Sequence, residues 1–177
     1  KTFKVLLSNW RKPVLFVAGN HEYYTGKPMR EHDKQFSAWL KAELPQVHFL
    51  RNESISLCGV NFFGGTMWTD FRSGDANAMR HAATRMNDFR LIRDEGIFTP
   101  EDSIAHHQEF IDALESWFAQ QLPGPRVVIT HHAPVENPKS RYLETPLQPA
   151  FVACDMKAVI ETHAPALWIY GHSHECD

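Results

Sequence analysis

The 177 residues are 43% hydrophobic and 22% charged with a formal net charge of -3, values of an ordinary folded domain that exclude a collagenous or disordered chain. No apolar run approaches the ~20 residues of a spanning helix, so no membrane partner is expected. The absence of a basic excess argues against sequence-specific nucleic-acid binding, which needs cations to neutralise phosphates. Cys58, Cys154 and Cys176 are odd in number and lack C-x-x-C spacing, which disfavours a disulfide framework or a thiolate zinc site and makes a reducing, cytoplasmic setting the expectation. Eleven histidines raise the prior for a metal site that only their spacing can support.

In chain order, residues 3–10 read as a helix end. They lead to the apolar run Val14-Leu15-Phe16-Val17-Ala18, bounded by Pro13 and Gly19, a strand buried on both faces. Met29, Phe36, Leu40 and Leu44 share one face of a helix over residues 28–44, which Pro45 ends. Extended segments at 47–51, 54–57 and 60–67 follow, the last two joined by a Cys58-Gly59 turn as an antiparallel pair. Residues 68–98 hold a short helix near 75–86 and form a candidate cap insertion. Thr99-Pro100-Glu101-Asp102 is a helix start, and Ile104, Ile111, Leu114, Phe118 and Leu122 make the stripe of a long helix ended by Pro123-Gly124-Pro125. A second buried strand at 126–130 precedes a loop at 133–149. A helix capped by Asp155 then leads to a third buried strand at 166–170. The pattern is α/β: one domain over residues 1–177, a layered β-sheet core flanked by helices.

Each buried strand ends in a polar cluster: Gly19-Asn20-His21-Glu22, Thr130-His131-His132-Ala133-Pro134 and Gly171-His172-Ser173-His174. Ligand sites in such sheets lie outside the carboxyl ends of strands, so the three loops are expected to converge. Imidazole nitrogens with an amide oxygen suit manganese, iron or zinc, whereas magnesium and calcium favour all-oxygen shells. Gly19 and Gly171 leave room at sharp exits, and His172 and His174, two apart in extended chain, project to one side. His32, His48, His81, His106, His107 and His163 lack such company and are read as packing or surface residues.

These three strings resemble the later half of the calcineurin-like metallophosphoesterase signature, and the similarity covers nearly the whole chain. Residues 65–70 and Met86-Asn87-Asp88-Phe89-Arg90 are further similar to a bacterial branch of that family. The resemblance implies that Asn20, His131 and His172 bind one metal ion and His174 another. It implies that His21 is the catalytic acid, that Glu22 steadies His21, and that His132 stands behind the ligands. The implied reaction is hydrolysis of a phosphate mono- or diester by a hydroxide bridging two divalent ions (Mn, Fe or Zn). A small-molecule or nucleotide ester is the implied substrate. Ala18 stands where protein Ser/Thr phosphatases carry arginine, which disfavours that class.

The family pattern also contains an Asp-x-His and a Gly-Asp upstream of Gly-Asn-His-Glu, and neither is present; Gly74-Asp75 has the letters without a preceding strand. The chain is therefore expected to be an incomplete core, lacking the first ligands and the strands that follow His174. Two divalent ions about 4 Å apart repel by roughly 16 kcal/mol at an effective dielectric near 20, which neutral ligands do not offset. The expectation is at most one loosely held ion and impaired hydrolysis. The alternative reading is a non-catalytic scaffold or protein-binding module of the same fold. For substrate contacts the sequence offers Trp68, Asp70, Asn87, Arg90 and Arg141, which surface placement explains equally well.

Overall fold

The computed structural model describes residues 2–137, 144–153 and 156–174; Arg141, Cys154, Asp155 and Cys176 lie outside them. After α1 (Thr2–Leu7), β1 (Val14–Phe16) runs into a 3-10 turn at Asn20–Tyr23, then α2 (Met29–Glu43) crosses back to β2 (Val47–Phe49). The two strands pair in parallel, Val14 opposite Val47 and Phe16 opposite Phe49. A crossover of this kind needs an apolar helix face over the strands; Phe36 and Leu40, with Leu44 at the helix end, supply it and pack with Val47 of β2, Val14 of β1 and Phe3.

The second sheet begins with the hairpin β3 (Glu53–Leu57) and β4 (Val60–Gly65). Its turn places Cys58 and Gly59 at φ 52° and 80°, the positive values a two-residue hairpin loop demands. Between β4 and the next strand come a left-handed turn, α3 (Phe71–Gly74), then α4 (Ala76–Arg85), α5 (Asp88–Leu91) and the long α6 (Pro100–Phe118). Strand β5 (Arg126–Thr130), helix α7 (Met156–His163) and strand β6 (Leu167–Ile169) complete the order β3-β4-β5-β6, antiparallel at the hairpin and parallel thereafter.

Helix α6 starts as its sequence dictates. Thr99 Oγ1 accepts from the Asp102 amide at 3.1 Å while the Asp102 carboxylate accepts from the Thr99 amide at 2.8 Å. Its buried line runs through His107, Phe110, Leu114 and Trp117, one step round from the expected stripe, and packs with Met156 of α7 on Phe63 and Val128. On the other face of this sheet a Cβ on Gly64 would come within 2.9 Å of Val17 and 3.0 Å of Leu50, so the β1–β2 pair lies directly against β4. The layers are therefore helix, sheet, sheet, helix. Trp68, Phe71, Ala82, Phe89 and Phe98 share one core with Ala18, Tyr23 and Met29, so residues 68–98 are woven into the domain. Two expected strands differ in burial: β1 is half-buried, and β6 is an edge whose Leu167 and Ile169 are 52% and 46% exposed. No helix among the described residues is long and apolar enough to cross a membrane.

His132 ties the ends of β4 and β5 together. Its amide and its ring Nδ1 both reach the Thr66 carbonyl, at 3.2 and 3.1 Å, and its ring lies 5.3 Å from that of Trp68. Burial lowers its pKa from 6.5 to about 4, partly offset by the bond to Thr66. A folded pKa below the unfolded one means that the stabilisation is complete above about pH 6.5 and is lost as pH falls from there toward 4. The thermal midpoint is thus expected to drop between pH 7 and pH 5, and a flat profile would contradict a neutral buried imidazole. Phe110 is 0% exposed, and Phe110→Ala is expected to cost about 3–5 kcal/mol of unfolding free energy, read from urea denaturation.

Candidate metal centre

Local backbone chemistry sets the first loop. Gly19 caps the 3-10 turn in extended conformation, and its amide donates to the Glu22 carboxylate at 2.8 Å. This bond, which closes the turn that carries His21, is what the structure shows of Glu22. A Cβ on Gly19 would fall 2.5 Å from His131 Cε1 and 2.8 Å from Nε2, so only glycine lets this imidazole lie across the loop. Gly171 is different. A Cβ there would meet His131 at 3.9 Å, an ordinary contact, and its tie to the site is a backbone bond to the His131 carbonyl at 3.1 Å.

Three side chains from the three loops converge. His131 Nε2 is 3.0 Å from Asn20 Oδ1 and 3.0 Å from His172 Nδ1. Ligands about 2.1 Å from one ion and at right angles stand about 3.0 Å apart, so these spacings fit adjacent positions of a single coordination shell. His172 Nε2 is buried without a hydrogen-bond partner, whereas Nδ1 is the ring nitrogen that faces His131. Among the described residues no three His, Cys, Asp or Glu side chains form such a group by themselves; the set is two imidazoles and one amide. All three donors are neutral. Burial, reinforced by neighbouring imidazoles, pulls His131 from 6.5 down to about 3 and holds His172 far below the usual range, and the neutral ring is the ligating form.

His21 and His174 border the same cleft of about 390 Å³ with their rings exposed, and Asn87 lines its wall. The His21 ring sits 4.7 Å from that of Tyr24. His172 and His174 do not follow an extended course: their φ values are 63° and 54°, and the Ser173 amide donates to the Gly171 carbonyl at 2.8 Å. Left-handed backbone is uncommon outside glycine, although histidine enters it more readily than most residues. His132 packs behind the cluster, 4.4 Å from the His172 ring. A larger cavity of about 730 Å³, bounded by Tyr23, Asp33, Arg51 and His106, contains none of the converging imidazoles, so the chemistry belongs to the smaller cleft.

Of the residues considered for substrate, Trp68 is buried 4.6 Å from Phe98, and the Asp70 carboxylate accepts from the Ser73 amide at 2.8 Å. Arg90 donates to Asn87. Asp75 caps α4 through bonds from the amides of Asn77 and Ala78, which keeps it out of the site, and His106 and His163 pair with Asp94 and Glu115. Sequence reasoning missed Asp88, 2% exposed, whose Oδ1 accepts from Asn20 Nδ2 at 2.9 Å and from the Tyr24 hydroxyl. The tract containing it stood out, but nothing in its letters pointed to Asn20.

The chain is similar to "Uncharacterized protein L509" of Acanthamoeba polyphaga mimivirus, 29% identical over an alignment that covers 91% of this chain and 61% of that protein. It therefore spans less than two thirds of that relative's length. A solved crystal structure superposes with a TM-score of 0.52 at 16% identity, covering 97% of this chain and 55% of the other, a likeness of fold. The calcineurin-like phosphoesterase family, whose members generally bind divalent metals, matches over residues 1–176. That match, over nearly the whole chain, shows that the chain belongs to the calcineurin-like phosphoesterase family.

Proposed function

We propose that this chain carries the metal-binding part of a hydrolase acting on phosphate esters of small molecules or nucleotides. The observation that supports the reading is the meeting of Asn20 Oδ1, His131 Nε2 and His172 Nδ1 at 3.0 Å spacings in an open cleft. Those three side chains would hold one divalent cation, and their nitrogen-rich, borderline-soft character favours manganese, iron or zinc. A bound cation of this kind supplies Lewis-acid charge for a phosphoryl group and makes water a better nucleophile. His174 borders the cleft where a second ion would be met, but the neutral donors of this chain do not offset the repulsion between two.

The remaining work falls to the cleft wall. His21 is exposed there and serves as the proton donor to the leaving oxygen, a role that needs reach into the cleft. Asn87 stands beside it as a neutral contact for whatever group the ester carries. A volume of about 390 Å³ lies within the range of small-ligand sites.

Cobalt(II) titration by calorimetry is expected to show one site in the unaltered chain and none in His131→Ala. Gly19→Ala, which drives a Cβ into the same ring, is expected to weaken binding by at least about tenfold. Hydrolysis of p-nitrophenyl phosphate and its bis-ester, assayed with Mn²⁺, Fe²⁺ and Zn²⁺, is expected to fall about 10²–10⁴-fold in His21→Ala while cobalt affinity stays constant. A chain that binds metal yet leaves both esters intact would favour the scaffold reading instead.

A further inference from the structure

We infer that Asp88 is a positioning residue of the metal centre, acting through Asn20. A carboxamide presents two ends of nearly equal size, and which end faces His131 and His172 decides whether the cluster attracts a cation or repels it. Asn20 is 5% exposed, so its amide has no bulk water to select the orientation. Asp88 makes the selection. Its buried Oδ1 accepts from Asn20 Nδ2 at 2.9 Å, and because a carboxylate offers no proton to an amide oxygen, the reversed orientation would set oxygen against oxygen. The nitrogen is held at Asp88 and the oxygen is left 3.0 Å from His131 Nε2.

The Tyr24 hydroxyl donates to the same carboxylate oxygen, so both groups facing Oδ1 are donors and the acceptor role of Asp88 is fixed from two sides. Tyr24 follows Asn20 by one turn, whereas Asp88 arrives 68 residues later at the start of α5.

This inference rests on the metal-centre reading above, and a double-mutant cycle separates the two. Cobalt(II) affinity, from calorimetry and from the visible absorption of the bound ion, is measured in the unaltered chain, Asp88→Ala, Asn20→Ala and the double variant. Asp88→Ala is expected to weaken binding about 10–100-fold and shift the cobalt spectrum. In the Asn20→Ala background, where His131 and His172 still anchor the ion, the same substitution is expected to change affinity by less than about twofold. Equal losses in both backgrounds would overturn the positioning role, as would undiminished binding by Asp88→Ala. If Asp88→Ala lacks native circular dichroism, Asp88→Asn carries the comparison: its amide can donate as well as accept and no longer forbids the reversed orientation of Asn20, so it is expected to weaken binding with Asn20 present and to change nothing without it. No binding by the unaltered chain would sink the metal-centre reading and this inference together, whereas binding indifferent to Asp88 would sink this inference alone.

Discussion

The His131 ring lies against a backbone that has no side chain at Gly19, and the cluster depends on that contact. From this seat Nε2 reaches an amide oxygen on one loop and an imidazole nitrogen on another, each at 3.0 Å. Any larger residue at position 19 would lift the ring out of the plane in which the three donors meet. The glycine therefore acts sterically on a side chain more than one hundred positions away, and the capping bond from its amide to Glu22 keeps the turn in the shape that allows it.

Around that contact the protein arranges polar groups so that none of the three donors is charged and each is aimed. His132 is tethered to the Thr66 carbonyl and backs His172; Asp88 and Tyr24 hold the amide; burial suppresses protonation of the rings. Half-buried imidazoles packed ring to ring are an unfavourable arrangement in isolation, since buried nitrogens want partners. Their concentration at one edge of an otherwise apolar sheet is the kind of local conflict that marks a working site rather than a packing solution.

The loops of the centre were legible because the chemistry is carried by residue identity next to strong strand signals: Val-Val-Ile-Thr before His131, Leu-Trp-Ile-Tyr before Gly171. Helix α6 was legible from its cap, which is local. What could not be read has a common cause in tertiary context. The edge position of β6 depends on which strand lies beside it, and its apolar letters are the same either way. The left-handed turns at His172 and His174 replace an extended course that period-2 logic would assign. The role of Glu22 came from the family resemblance alone, and its bond to the Gly19 amide, which closes the turn, needed the local backbone geometry to be seen. The Asp88 pairing joins segments 68 residues apart, and a single sequence carries no record of such a contact.

That separation has a kinetic side. The β3–β4 hairpin closes over two residues and can form early, but Asn20 and His131 are 111 positions apart and sit on different sheets. No local segment contains enough of the centre to capture an ion by itself, so ligation has to await the docking of one sheet on the other. An ion held by all three loops would then act as a rivet across the two-sheet interface, slowing separation of the layers more than fraying of any single strand.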